Sequence, residues 1–265
     1  MSKAGTARIL DMLTPVPGQL ADPARDGSFF GFSFESETTL PTIARPRMVA
    51  SAEAKRHAAQ IVKCLSAAYP EAECALNFRT PLQLLVATIL SAQCTDVRVN
   101  IVTKDLFKKY PDAKAFAAAP LPDLERAIQS TGFFRNKAKN IKACCTELVE
   151  QHDGKVPEDL DALVKLAGVG RKTANVVLGT AFGIPTGVVV DTHVTRLSRR
   201  LGMTKHADAV KIERDLIEQV PKREWIGLAH RLIAHGRQVC IARKPRCEVC
   251  PLSDVCPRIG VADPA

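Results

Sequence analysis

A lysine in the first turn of a helix, with a glycine turn before it and an aspartate nineteen residues after it, is the combination in this chain best suited to covalent chemistry. The stretch Leu166-Ala167-Gly168-Val169-Gly170-Arg171-Lys172-Thr173-Ala174 reads as a helix, a tight turn and a second helix, and Val189-Val190-Asp191-Thr192-His193 follows it. Gly168 and Gly170 carry no side chain that would keep a ligand from the backbone. The free N–H groups and the dipole at the start of the second helix suit a phosphate. A lysine amine is normally protonated, but a helix N-terminus and an adjacent cation both favour the neutral form, and Lys172 follows Arg171. Asp191 stands where another helix starts, so free N–H groups face its carboxylate. Such a carboxylate can steady a cationic sugar and help move protons to and from an amine. Taken singly, Lys172 reads as a surface phosphate contact and Asp191 as a helix cap; the glycine hairpin between flanking helices makes the pair more specific. A phosphate-loop motif fails on spacing, because it needs Gly-Lys-Ser/Thr and Arg171 intervenes here.

Near the C-terminus, Cys240, Cys247, Cys250 and Cys256 are spaced Cys-x6-Cys-x2-Cys-x5-Cys. Four thiolates this close can surround one metal centre. The gaps differ from the paired Cys-x2-Cys arms of a zinc ribbon, so a [4Fe–4S] cluster is the favoured reading, with zinc the alternative. Arg243, Lys244 and Arg246 make the loop between the first two cysteines basic and direct it at phosphate. Cys64, Cys74, Cys94, Cys144 and Cys145 fall on or near apolar helix faces and read as buried thiols.

The chain has 265 residues, 46% of them hydrophobic but only 5% aromatic, and a formal net charge of +9. The first fifty residues are neutral: Lys3, Arg8, Arg25, Arg45 and Arg47 balance Asp11, Asp22, Asp26, Glu35 and Glu37. The whole excess therefore sits beyond residue 50, which points to a polyanionic partner. No run of about 18 apolar residues offers a membrane span, and the N-terminus lacks the apolar core of a signal peptide. A cytoplasmic location is expected, where cysteines serve metal binding or burial rather than disulfides.

Residues 1–50 mix Pro, Gly, Ser and Thr without a sustained period and read as a flexible extension with one short helix near residues 4–13; Met48 is a candidate natural start. From Ser51 onward the pattern is helical almost throughout. Ser51–Tyr69 is amphipathic. Thr80-Pro81 opens a helix whose core face is Leu82, Leu85, Val86 and Ile89, and Thr95-Asp96 opens one running to Tyr110. Further helices are expected over 120–130, 136–152, 159–166, from Lys172 to Phe182, and over 191–201, 207–220 and 223–235. The fold class is all-α.

These residues resemble the endonuclease III family, the bifunctional DNA glycosylases and abasic-site lyases of the helix-hairpin-helix superfamily. The resemblance runs from about residue 52 to 257. It rests on Leu-Ser-Ala-Gln-Cys-Thr-Asp at 90–96, Gly-Val-Gly-Arg-Lys-Thr-Ala-Asn-Val-Val at 168–177, Val-Asp-Thr-His at 190–193, His-Gly-Arg at 235–237 and the cysteine spacing. It implies that Lys172 is the nucleophile at C1′ of a deoxyribose, forming a Schiff base, and that Asp191 is the essential carboxylate. The strand would then be cut on the 3′ side by β-elimination. Implied partners are duplex DNA carrying oxidised or ring-saturated pyrimidines or abasic sites, bound by a monomer associated with the nucleoid if the source is bacterial. Two helical domains with a DNA cleft between them are implied: a six-helix barrel over 75–186 ending in the hairpin, and a cluster domain made of 51–74 with 187–258, followed by a tail at 259–265.

A base must leave the stack to reach a rigid helix, at a cost of a few kcal/mol. By match to the family's motifs, Gln93 plugs the vacated space. The loop Thr131-Gly132-Phe133-Phe134-Arg135-Asn136-Lys137 aligns with the family's intercalating loop. Phe133 departs from the aliphatic wedge common there. Arg135 and Lys137, with Lys139 and Lys142, are expected to touch phosphate, as are Gly168, Gly170, Arg171, Arg243 and Lys244. His193 and His235 read as structural histidines. Two rival functions are a monofunctional glycosylase such as the adenine-removing enzyme, against which Lys172 argues, and a DNA-binding module without chemistry. A zinc-binding structural protein, which would be colourless, is a third.

Overall fold

The computed structural model describes residues 50–261; the expected extension, its short helix and the Met48 start lie outside that range. Eleven α-helices and three 3-10 turns, with no strand, make up the described residues. The first helices are α1 (Ala52–Ala68), α2 (Pro81–Leu90), α3 (Asp96–Lys109), α4 (Ala113–Ala118), α5 (Leu121–Ile128) and α6 (Phe134–His152). They are followed by α7 (Leu160–Lys165), α8 (Arg171–Phe182), α9 (Thr192–Arg200), α10 (Ala209–Gln219) and α11 (Trp225–Gln238). Short polar side chains set most of the starts. Ser51, Thr80, Thr95, Asp112, Asp159, Asp191 and Asp208 each accept a backbone N–H of the first turn that follows. The sequence pattern did not reveal α4, a single alanine-rich turn and a half behind Asp112, because six residues are too few to show a period.

The helices gather around two apolar clusters. One is built from α2 to α8. The other joins α1 to α9, α10 and α11, with Leu252 beneath the C-terminal loop. α2 lies at the centre of the first: Leu84, Ala87 and Leu90 are buried along with Leu82, Leu85, Val86 and Ile89, so it has no solvent face of the kind the spacing suggested. The chain crosses from the second cluster to the first between α1 and α2, and returns between α8 and α9. No described helix is long and apolar enough to cross a membrane.

α6 fixes the glycine turn between α7 and α8. Glu147 on α6 accepts the N–H of Ala167 at 2.8 Å, and Asn140 fills the space beside Gly168. Gly168 has φ +74°, and a Cβ added to it would lie 2.7 Å from the Asn140 Cβ, so strain and a clash both exclude a larger residue there. A Cβ on Gly170 would meet nothing within 4 Å. Gly170 matters instead because it leaves the first turn of α8 without a side-chain cap, keeping those N–H groups free.

Candidate active site

Lys172 projects from the first turn of α8 and is exposed. Asp191 caps α9, its Oδ1 accepting the Val194 N–H at 2.8 Å. Both line one cavity of about 300 Å³, together with Gln93. Both crossover segments contribute to it, Glu73 to Leu76 on one side and Val189 and Asp191 on the other, and α11 closes it with Ala229, His230, Ile233 and Arg237. Arg237 pairs with Asp96 at the start of α3, so an ion pair ties the two apolar clusters at the cavity. An amine, a carboxylate and a side-chain amide, carried on three separate elements, line a space the size of a nucleobase and its sugar.

Gln93 and Phe133 both stand on strained backbone, at φ 53° and 47°. Gln93 is exposed, and Phe133 is 65% exposed although it is a large apolar residue. A left-handed phenylalanine that starts a helix and leaves its ring in solvent is an unusual placement for an apolar side chain. Arg135 is exposed beside it, with its guanidinium 5.2 Å from the Phe134 ring centre.

Two expected phosphate contacts are not placed for that task. Lys137 is only 4% exposed, and its Nζ donates to Leu90 O at 2.9 Å and Thr131 O at 2.8 Å. It ties the end of α2 to the loop before α6, because those carbonyls at the ends of helical segments lack intrahelical donors. Lys142 likewise donates to Ala117 O and Ala119 O at the end of α4. Lys137→Ala is therefore expected to cost on the order of 2 kcal/mol of stability by stranding two buried carbonyls. It should leave the salt dependence of DNA binding unchanged; a denaturant titration and binding at several salt concentrations check both. The Arg171 guanidinium is also engaged. Its Nε donates to Glu213 on α10 at 3.0 Å, and the same buried carboxylate accepts from Asn175. A carboxylate sunk between α8 and α10 needs a cation, and Arg171 supplies it while its side chain stays half exposed.

Cys240, Cys247, Cys250 and Cys256 line a single apolar pocket. Burial raises the Cys250 and Cys256 thiols, and nearby cysteine charge raises them further. Four clustered thiols in low-polarity surroundings ionise together only around a cationic centre. N–H groups are aimed at the sulfurs: Arg200 Nη1 donates to Cys240 Sγ at 3.3 Å and the Arg258 N–H to Cys256 Sγ at 3.4 Å. His235 is buried, which lowers it to about 4 and keeps it neutral. Tyr69 Oη lies 2.8 Å from its Nδ1 and Cys250 Sγ lies 3.6 Å from its Nε2. If Tyr69 donates to Nδ1, the imidazole proton faces the sulfur. Arg243, Lys244 and Arg246 are exposed on the loop between the first two cysteines.

α9 links this loop to Asp191. Arg196 donates to Cys240 O and Gly236 O, and contacts His193 Nδ1 at 3.2 Å. Burial, with Arg196 nearby, keeps His193 below the ordinary histidine range although Asp191 pulls it up. His193 and His235 thus sit in structural hydrogen-bond networks. Of the other cysteines, Cys144 and Cys145 are buried as expected, whereas Cys64, Cys74 and Cys94 are only half-buried and Cys74 lines the cavity.

Residues 86–222 match the HhH-GPD superfamily of base excision DNA repair proteins, and residues 240–256 match the iron–sulfur binding domain of endonuclease III. A relative named endonuclease III from Synechocystis sp. is 55% identical over 206 residues, 78% of this chain and 94% of the relative. The chain belongs to the endonuclease III family. As a member, it is a bifunctional DNA glycosylase and abasic-site lyase with a [4Fe–4S] cluster. Endonuclease III of Bacillus subtilis is 51% identical over 71% of this chain and 86% of its own length. Two solved structures share the fold at TM-score 0.73 and 46% identity, each covering 77% of this chain. One is a non-covalent endonuclease III–DNA complex, covered over 95% of its length; the other is a trapped endonuclease III–DNA covalent intermediate, covered over 96%. The cavity of this endonuclease III family member also holds Glu73 and His230, which sequence reading did not single out, and the Arg237–Asp96 pair, whose two residues it named only within separate motifs. They come from three segments far apart in the chain, and no spacing rule connects them.

Proposed function

We propose that the chain binds duplex DNA as a monomer and removes oxidised or ring-saturated pyrimidines. The lesion swings into the cavity while Gln93 and Phe133 occupy the space it leaves. The two apolar clusters would be the two domains, 75–186 and 51–74 with 187–258, flanking the DNA. Neutral Lys172 Nζ bonds to C1′ as the bond from C1′ to the base nitrogen breaks, and the base leaves with a proton. Opening of the sugar ring gives an iminium. Loss of a C2′ proton then expels the 3′ phosphate, and hydrolysis of the imine frees the amine. Asp191 faces the cation that develops on the sugar and relays protons to and from the amine. The observation that carries this reading is the meeting of Lys172 and Asp191, on different helices, in one cavity. Apart from its polar groups, that cavity is lined by small and aliphatic residues such as Ala92, Val176, Val189 and Ile233. Such walls accept a ring that is no longer flat, whereas an intact base would find no Phe, Tyr or Trp face to replace its lost stacking. Turnover on duplexes with one 5,6-dihydrothymine or one abasic site tests this: both are expected to be cleaved, and an undamaged duplex is not.

Cys240, Cys247, Cys250 and Cys256 would hold the cluster, which orders the basic loop against the backbone. Replacing Cys247 with serine is expected to strip the yellow-brown colour and the visible absorbance, and retention of both would exclude that ligand set. Each phosphate contact contributes roughly 0.9 to the slope of log affinity against log salt. Arg243→Ala and Lys244→Ala are each expected to flatten that slope by about one unit, measured by fluorescence anisotropy on duplex DNA.

A further inference from the structure

Lys172 and Asp191 stand on helices of different apolar clusters. α8 packs in the first through Ala174, Val177 and Leu178, whereas α9 packs in the second through Val194 and Leu197. The gap between amine and carboxylate is therefore set by how the two clusters meet, not by any one helix. Glu213 on α10 sits at that junction with its side chain only 9% exposed. It accepts from Arg171, the residue before Lys172, through Nε at 3.0 Å and Nη2 at 3.3 Å. It also accepts from Asn175 Nδ2, about one turn further along α8, at 2.9 Å. The segment that returns from α8 to α9 closes the other side. Thr186 Oγ1 donates to Asn175 Oδ1 at 2.9 Å. A Cβ added to Gly187 would lie 1.9 Å from Glu213 Oε1 and 2.7 Å from Asn175 Nδ2. Gly187 is four residues before Asp191. One buried carboxylate thus bonds the residue next to the amine and lies against the segment that leads to Asp191.

We propose that Glu213 is a positioning residue for the reaction: it holds the start of α8 and the return segment in one register, and so sets the reach from Lys172 to the sugar that Asp191 faces. This rests on the Lys172–Asp191 reading and deepens it. Glu213 is not among the residues lining the cavity, so it acts through α8 and the return segment. Charge-assisted bonds to a buried carboxylate are short and directional, and breaking them strands a charge. Covalent attack is sensitive to such a register, because a misplacement of about 1 Å remote from the chemistry can cost on the order of 10²-fold in rate.

The test uses the full-length, cluster-loaded protein. Single-turnover cleavage of an abasic duplex at saturating enzyme gives the rate of the chemical steps. Borohydride trapping to completion on excess duplex counts the enzyme able to react. Titration of a duplex carrying tetrahydrofuran, an abasic analogue that cannot form an imine, gives affinity. Glu213→Gln turns an N–H₂ group toward one of the two donors. Its rate per trappable enzyme is expected to fall by about tenfold or more, with affinity within about threefold of wild type. Gly187→Ala keeps every charge and pushes the carboxylate aside, so it should show the same split. Thr186→Val removes only the hydroxyl that holds Asn175 and should slow cleavage by about threefold or more. Position 186 is partly exposed, so this variant carries the test if the other two fold poorly. The proposal is overturned if the rate per trappable enzyme does not move in the folded variants. Rate and affinity falling together overturn it as well, since that marks a structural role alone. A wild type whose trapped adduct maps away from Lys172 sinks the underlying reading instead, and shows it before any substitution is made.

Discussion

Lys172→Ala is expected to abolish strand cleavage at an abasic site, a loss of at least about 10⁴-fold, while duplex affinity falls only slightly. Among the described residues, Lys172 is the only lysine lining the cavity, so no second amine of that wall stands ready to replace it. Arg237 is held by Asp96, and His230 cannot form an imine. Alanine is a good helix former, and position 172 is exposed in the first turn of α8, so stability should stay within about 0.5 kcal/mol of wild type. A thermal melt, an affinity titration and a cleavage time course on the same preparation check all three. Substantial cleavage by a folded, DNA-binding Lys172→Ala protein would mean that the nucleophile lies elsewhere.

Asp191→Asn is expected to lower base removal by roughly 10²–10⁴-fold with little change in stability. The carboxylate has two roles here. Its Oδ1 caps α9 through Val194 N–H, and its charge faces the cavity. Asparagine keeps an oxygen for the cap and loses the charge. Asp191→Ala loses both and should cost about 1 kcal/mol more in stability than the asparagine variant. Comparing the two by chemical denaturation and single-turnover kinetics separates the roles. Full activity in Asp191→Asn would leave the carboxylate with the cap alone.

Local chemistry was legible in the sequence wherever it acts over a few residues. Thr80, Thr95, Asp159 and Asp191 cap the helices they were expected to start, and the turn around Gly168 holds its positive φ. Periodicity located ten of the eleven helices and passed over α4, whose six residues sit in an alanine-rich stretch. The misreadings concern charged side chains whose partners are distant in the chain. Lys137 looked like one of a run of exposed cations, but Leu90, forty-seven residues away, supplies a carbonyl that draws it inward. Arg171 meets Glu213 across forty-two residues. A buried carbonyl or carboxylate demands a donor, yet sequence pattern does not show which carbonyl will be buried. The same limit hid Glu73 and His230. They acquire meaning only when the two crossover segments and α11 enclose one space.

The account turns on a covalent bond between Lys172 and deoxyribose, and borohydride trapping reads that bond directly. Incubating wild type with an abasic duplex and reducing it should give a denaturation-resistant protein–DNA adduct whose peptide map places the DNA on Lys172, with no adduct from Lys172→Ala. An absent adduct in a preparation that cleaves the duplex, or an adduct mapped to another residue, would contradict the account.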